Sequence, residues 1–150
     1  MTRLLLLAHS PLASALRDVA GHVYPECASA IEAIDVPPSA TVEEVQSSLR
    51  RTLATTADEV LILVDAFGAT PCNAAMQVAD GVRVRVVTGV NVPMLWRTLC
   101  YRNESLDRLV DRAVTGAAQG VMQLALPRRL NQSPAVGSCA NDQVDHHHQQ

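Results

Sequence analysis

The chain has 150 residues, of which 48% are hydrophobic and 18% charged, and its formal net charge is −3; that is one ordinary domain, apolar enough to form a core without metal or disulfide support. All 12 basic residues are arginine, which excludes a lysine Schiff base and a phosphate-loop lysine, while the absence of a basic stripe and the sparse aromatics (Tyr24, Phe67, Trp96 and Tyr101) argue against nucleic acid. The N-terminal apolar run is only Leu4 to Leu7, too short for a secretory signal or a membrane span, so a cytoplasmic protein without direct membrane insertion is expected, with Cys27, Cys72, Cys100 and Cys139 as free thiols.

Residues 3–9, RLLLLAH, read as a buried strand that ends on a histidine. Residues 10–24 read as a helix, with Ser10 as N-cap and Pro11 at its first position. Leu12, Leu16, Val19 and Val23 fall on one face of it. A second strand is predicted over 30–36 and is stopped by Pro37-Pro38. The next helix covers 41–56, with Thr41 as cap and Glu43-Glu44 in the first turn. Residues 59–66, EVLILVDA, give a third strand that is continuously apolar and so buried on both faces. A turn at Phe67-Gly68 leads to a short helix over 71–79, and Gly68 suits a turn that needs positive φ. A fourth strand over 82–89 precedes helices over 91–102, with Asn91 near the cap, and 105–124, capped by Ser105. Four β-α units in sequence predict an α/β fold, a doubly wound and mostly parallel sheet with helices on both faces. This domain is expected over 1–126. From 127 the composition shifts to Gln, Ser, Asn and His, and a disordered tail over 127–150 is expected.

Open parallel sheets bind ligands beyond the carboxyl ends of their strands, at the switch in strand order. Strand one ends at His9, strand three at Asp65 and strand four at Thr88-Gly89. In the order 2-1-3-4, strands one and three are neighbours and His9 meets Asp65. The carboxylate can then accept the Nδ1 proton, fix the tautomer and leave Nε2 facing outward. Thr70 adds a hydroxyl, and the helix starts at Ser10 and Pro71 offer N–H groups to an anion. Imidazole, orienting carboxylate and anion cradle together suit phosphoryl transfer to and from histidine. On residue chemistry alone, this pair reads equally well as a hydrogen-bonded strand end.

Three stretches lie in order along the chain: His9 followed by LASAL, VDAFGATPCNAA over 64–75, and TGVNVPML over 88–95. Together they resemble the enzyme IIA domain of the mannose family of the sugar phosphotransferase system, over about residues 3–124. The resemblance implies that His9 is the phosphorylated residue, modified on Nε2 by the phosphocarrier HPr, and that Asp65 holds the other ring nitrogen. It implies phosphate binding around Thr70, Ser10, Gly68 and Ala69, and site-shaping roles for Asn73, Asn91 and Met94. It also implies a homodimer, no cofactor and no metal. Ser10 and Ala69 stand where this family often has glycine, which alters the loop geometry but keeps the histidine–carboxylate pair. Such domains often continue into a IIB domain. Here a short tail follows, so a separate IIB-type acceptor or a regulatory partner is expected.

Two other readings compete. One is a binding-only regulator that keeps the fold without transfer. The other is a hydrolase using His9 and Asp65, disfavoured because no nucleophile elbow and no second carboxylate is expected at that sheet edge. His22 reads as exposed, Cys72 as packing, Trp96 as core or dimer interface, and His146 to His148 as inert.

Overall fold

The computed structural model describes residues 1–126; the expected tail over 127–150, with Cys139 and His146 to His148, lies outside the described residues. The element order is β1 (Arg3–His9), α1 (Leu12–Val23), α2 (Pro25–Ala28), β2 (Ile31–Val36), α3 (Val42–Ala54), β3 (Val60–Val64), α4 (Thr70–Val78), β4 (Val84–Thr88), α5 (Val92–Cys100) and α6 (Leu106–Gln119). The four strands form one sheet in the order β2-β1-β3-β4, with every pairing parallel. The expected fold class and strand order are therefore observed.

Successive strand residues point to opposite faces, so the apolar runs feed two cores. Leu4, Leu6 and Ala8 of β1, with Leu61 and Leu63 of β3, pack under α1, α5 and α6. Leu5, Leu7, Ile62 and Val64 pack under α3 and α4. A sheet buried on both faces needs this continuous apolar sequence, and each fully buried leucine contributes about 1.5–3 kcal/mol relative to exposure.

Several elements depart from expectation. Helix α1 buries Ala13, Leu16 and Ala20, whereas Leu12, Val19 and Val23 are exposed. The small alanines let the helix lie close to the sheet, so the bulkier stripe turns outward. Ser10 does not cap α1: the N-cap position is Pro11 and no side-chain cap bond is made there. The Ser10 N–H instead donates to the Val36 carbonyl at 2.9 Å. Asp35 of β2 takes the capping role, its Oδ1 accepting from the Ser14 N–H at 3.1 Å. Thr41 and Glu44 form the reciprocal capping box at the start of α3. Ser105 occupies the N-cap position of α6 without a side-chain cap bond. Helix α6 ends at Gln119, before Gly120, and residues 121–126 are exposed and outside any helix or strand. The single-turn α2 was not expected.

Among the described residues, no helix is long and apolar enough to cross a membrane.

Candidate functional site

The site begins with the burial of β1. Leu4 through Ala8 are buried, Leu4 to Leu7 between β2 and β3 and Ala8 against β2, and His9 emerges at the carboxyl end of the strand. Its side chain is 48% exposed. The β3 run Val60–Val64 is likewise buried throughout, and Asp65 follows directly. The register pairs Leu7 with Val64, which sets Asp65 beside the last turn of β1. By the alternation of the strand, His9 shares the face of Leu5 and Leu7, the face covered by α3 and α4.

The carboxylate and the imidazole are in direct contact. Asp65 Oδ2 lies 2.6 Å from His9 Nδ1 and accepts the His9 backbone N–H at 2.9 Å. Its Oδ1 accepts the Ala66 N–H at 2.8 Å. Partial burial pushes the Asp65 carboxyl up, but the hydrogen bonds from the His9 N–H, the His9 ring and the Ala66 N–H outweigh it, and its pKa lies below the ordinary value. Asp65 is therefore ionised at neutral pH. With Nδ1–H donated to that carboxylate, the lone pair of the neutral ring falls on Nε2.

The chain then passes through Phe67, which is exposed, and Gly68, which has φ +78° as its turn position requires. Helix α4 starts at Thr70, with Ala69 at the N-cap and no side-chain cap bond. Its leading N–H groups thus face outward at the positive end of the helix dipole. Asn73 closes this loop: its Nδ2 donates to the Gly68 carbonyl at 3.2 Å and its N–H donates to the Ala69 carbonyl at 2.9 Å. Pro71 and Cys72 are buried beneath the loop.

The two helix starts differ. The α1 N-terminus is already occupied by the Asp35 carboxylate. Burial raises the Asp35 pKa, but hydrogen bonds from Ser14 and Ala13 and the charge of Arg17 bring it below its ordinary value. That helix end is not an anion cradle, contrary to the sequence expectation, and a second carboxylate does lie at this sheet edge. Asp35 pairs with Ala8 in the ladder, one residue before His9. The sequence places Asp35 one residue from the end of β2, but its contact with α1 follows only from the pairing of β2 with β1.

The remaining candidates lie after β4. Gly89 has φ +79°, and the Val90 N–H donates to the Val64 carbonyl at 2.9 Å, which draws this turn against the end of β3. Asn91 caps α5, its Oδ1 accepting the Met94 N–H at 2.8 Å, while its Nδ2 donates to the Ala117 carbonyl at 3.3 Å. Met94 is buried in the core under α1, α5 and α6. The structure thus joins His9 to Asp65, Asn73 to Gly68, and Asn91 to Met94. Among the described residues, no hydrogen bond joins the His9 ring to Ser10, Thr70 or Asn73. Nor, among them, do three or more His, Cys, Asp or Glu side chains converge on a metal-sized site.

A family model described as the PTS system fructose IIA component matches residues 3–114. The mannose-specific EIIAB component of the PTS of Escherichia coli K12 is 37% identical over 112 residues, covering 71% of this chain and 35% of that protein. The chain thus spans about a third of the length of the curated relatives it matches. The mannose/sorbose specific IIA subunit of Enterococcus faecalis superposes with a TM-score of 0.78 at 24% identity, over 84% of this chain and 96% of that one. The phosphotransferase system component EIIA of Streptococcus agalactiae gives 0.75 at 22% identity, over 82% and 97%. At such identities, these two superpositions carry the fold alone.

Proposed function

The chain belongs to the mannose/fructose-type IIA family of the sugar phosphotransferase system, and from that premise we propose that it is a phosphoryl carrier acting through His9. The supporting observation is the 2.6 Å contact between His9 Nδ1 and Asp65 Oδ2, with the ring half exposed. Nε2 attacks the phosphorus of phospho-HPr. The bond from phosphorus to the donor breaks, its electron pair leaves with the donor, and an Nε2–P bond forms. Nδ1 keeps its proton, and the ring gains positive character that Asp65 balances. The reverse displacement delivers the group to a IIB-type acceptor in sugar uptake, or the phosphorylated state is itself read by a regulatory partner.

The phosphate rests against the start of α4, with Thr70 supplying a hydroxyl, Gly68 and Ala69 the backbone of the turn, and the exposed Ser10 side chain a second hydroxyl. Asn73, Asn91 and Met94 hold the two loops. The whole unit is one IIA-type domain over 1–126, working in the cytoplasm as a homodimer. The dimer is supported by the exposed Val121, Met122, Leu124 and Leu126, and by β4, whose only ladder partner among the described residues is β3.

Supplying phosphoenolpyruvate, enzyme I and HPr should add the mass of one phosphate to the protein. The label should be acid-labile and absent in His9→Ala. A label that persists in that variant rejects His9. No label at all, with partner binding that still responds to His9, supports the binding-only reading instead.

A further inference from the structure

Helices α5 and α6 pack closely. A Cβ on Gly116 would come within 2.8 Å of the Arg97 Cβ, so only glycine allows this approach. On the outer side of the pair run two adjoining clefts, of about 350 and 340 Å³. They share Arg97 and Gln119, whose side chains are hydrogen-bonded at 3.3 Å. Each cleft is at the lower end of the size range of small-molecule sites.

The two halves differ in chemistry. The first is lined by Arg97, Arg108 and Arg112, with Asp111 as its one carboxylate. Arg108 and Arg112 are one turn apart on α6, so they project side by side. Arg112 is held by a paired contact to Glu104, at 3.1 and 2.9 Å, and lies 4.1 Å from the centroid of the Tyr101 ring. Among the described residues, Arg97 and Arg108 make no ion pair within 4 Å, although the charge of Arg108 also acts on Glu104. This concentration of guanidinium runs against a chain whose net charge is −3. The second half is lined by Tyr24, Trp96 and Tyr101. Trp96 is 36% exposed, so an indole the sequence assigned to a core or dimer contact stands at the edge of a groove.

An oxyanion-binding half joined to an aromatic half fits a ligand with a planar base at one end and phosphate at the other. We propose that the α5–α6 groove binds a nucleoside polyphosphate, with the base against Trp96 and the phosphates on Arg97 and Arg108. Guanidinium matches phosphate oxygens in geometry, and aromatic faces stack on bases. The groove shares no residue with the His9–Asp65 pair, so the assignment stands or falls independently of phosphoryl transfer.

Trp96 is the chain's only tryptophan, so its emission reports on the groove directly. The full chain is titrated with ATP, adenosine and tripolyphosphate near physiological ionic strength, by fluorescence and by calorimetry. ATP should bind saturably and shift the emission, more tightly than either fragment. Arg108→Gln and Arg97→Gln should each weaken it about tenfold, and His9→Ala should leave it unchanged. Three results would overturn the assignment: no saturable ATP binding at millimolar concentration, tripolyphosphate binding as tightly as ATP, or binding lost in His9→Ala but kept in both arginine variants. Dissociation of a dimer by the arginine variants, without any effect on ligand, would give the groove to a second copy of the chain and also overturn it.

Discussion

At the scale of single residues, the carboxylate at Asp65 ties the His9 ring and backbone to the end of β3. Its side chain is only 12% exposed and accepts two bonds from His9. In the proposed carrier, Asp65→Asn keeps the shape but removes the counter-charge to a phosphorylated His9 ring. Phosphoryl transfer should slow by at least tenfold while the circular dichroism spectrum is retained, and wild-type transfer kinetics would show that the carboxylate does not orient the ring. The same group makes stability depend on pH. Its folded pKa lies below the ordinary aspartate value, so its contribution is complete above that ordinary value and is lost as pH falls through it toward the lower folded value. Thermal melts of the wild type should drop over that acid range, and those of Asp65→Asn should drop less. His9 and Asp65 were both legible in the sequence, because an ionisable residue that ends an unbroken apolar run can only emerge at a sheet edge. Asp35 was not. Its partner Ser14 is 21 positions away, and only the pairing of β2 with β1 brings it over α1.

At the scale of elements, this exchange of caps can be tested directly. Asp35→Ala removes the acceptor at the α1 N-terminus and should cost about 0.5–2 kcal/mol, read from denaturant midpoints. Ser10→Ala removes no cap bond and should cost less than about 0.5 kcal/mol. The opposite ranking would restore Ser10 as the cap. The α1 face was misassigned for a related reason. Apolar residues line more than one side of this helix, and periodicity favours the bulky set of Leu12, Leu16, Val19 and Val23, of which only Leu16 is buried, together with the small Ala13 and Ala20. Strands β1 and β3 gave no such choice, since Leu4–Ala8 and Val60–Val64 are apolar throughout and both faces of the sheet are covered. A helix of four residues such as α2 is too short to produce any periodic signal.

At the scale of the whole molecule, the proposed homodimer would use the exposed segment over 121–126 and the β4 edge. The double change Leu124→Asp and Leu126→Asp should shift the protein from dimer to monomer in light scattering, with its thermal unfolding still cooperative. An unchanged mass would place the dimer contact elsewhere, for instance on the outward stripe of α1. The sheet also imposes a rule of parity. Because neighbouring side chains of β1 serve opposite cores, its length acts as a ruler for the imidazole. One extra residue between Leu7 and Ala8 would swing His9 to the layer of α1, away from α4, while the strand could still form. Evolution can therefore exchange leucine for valine along this strand with little consequence for the ring, but it can lengthen or shorten the strand only in steps of two.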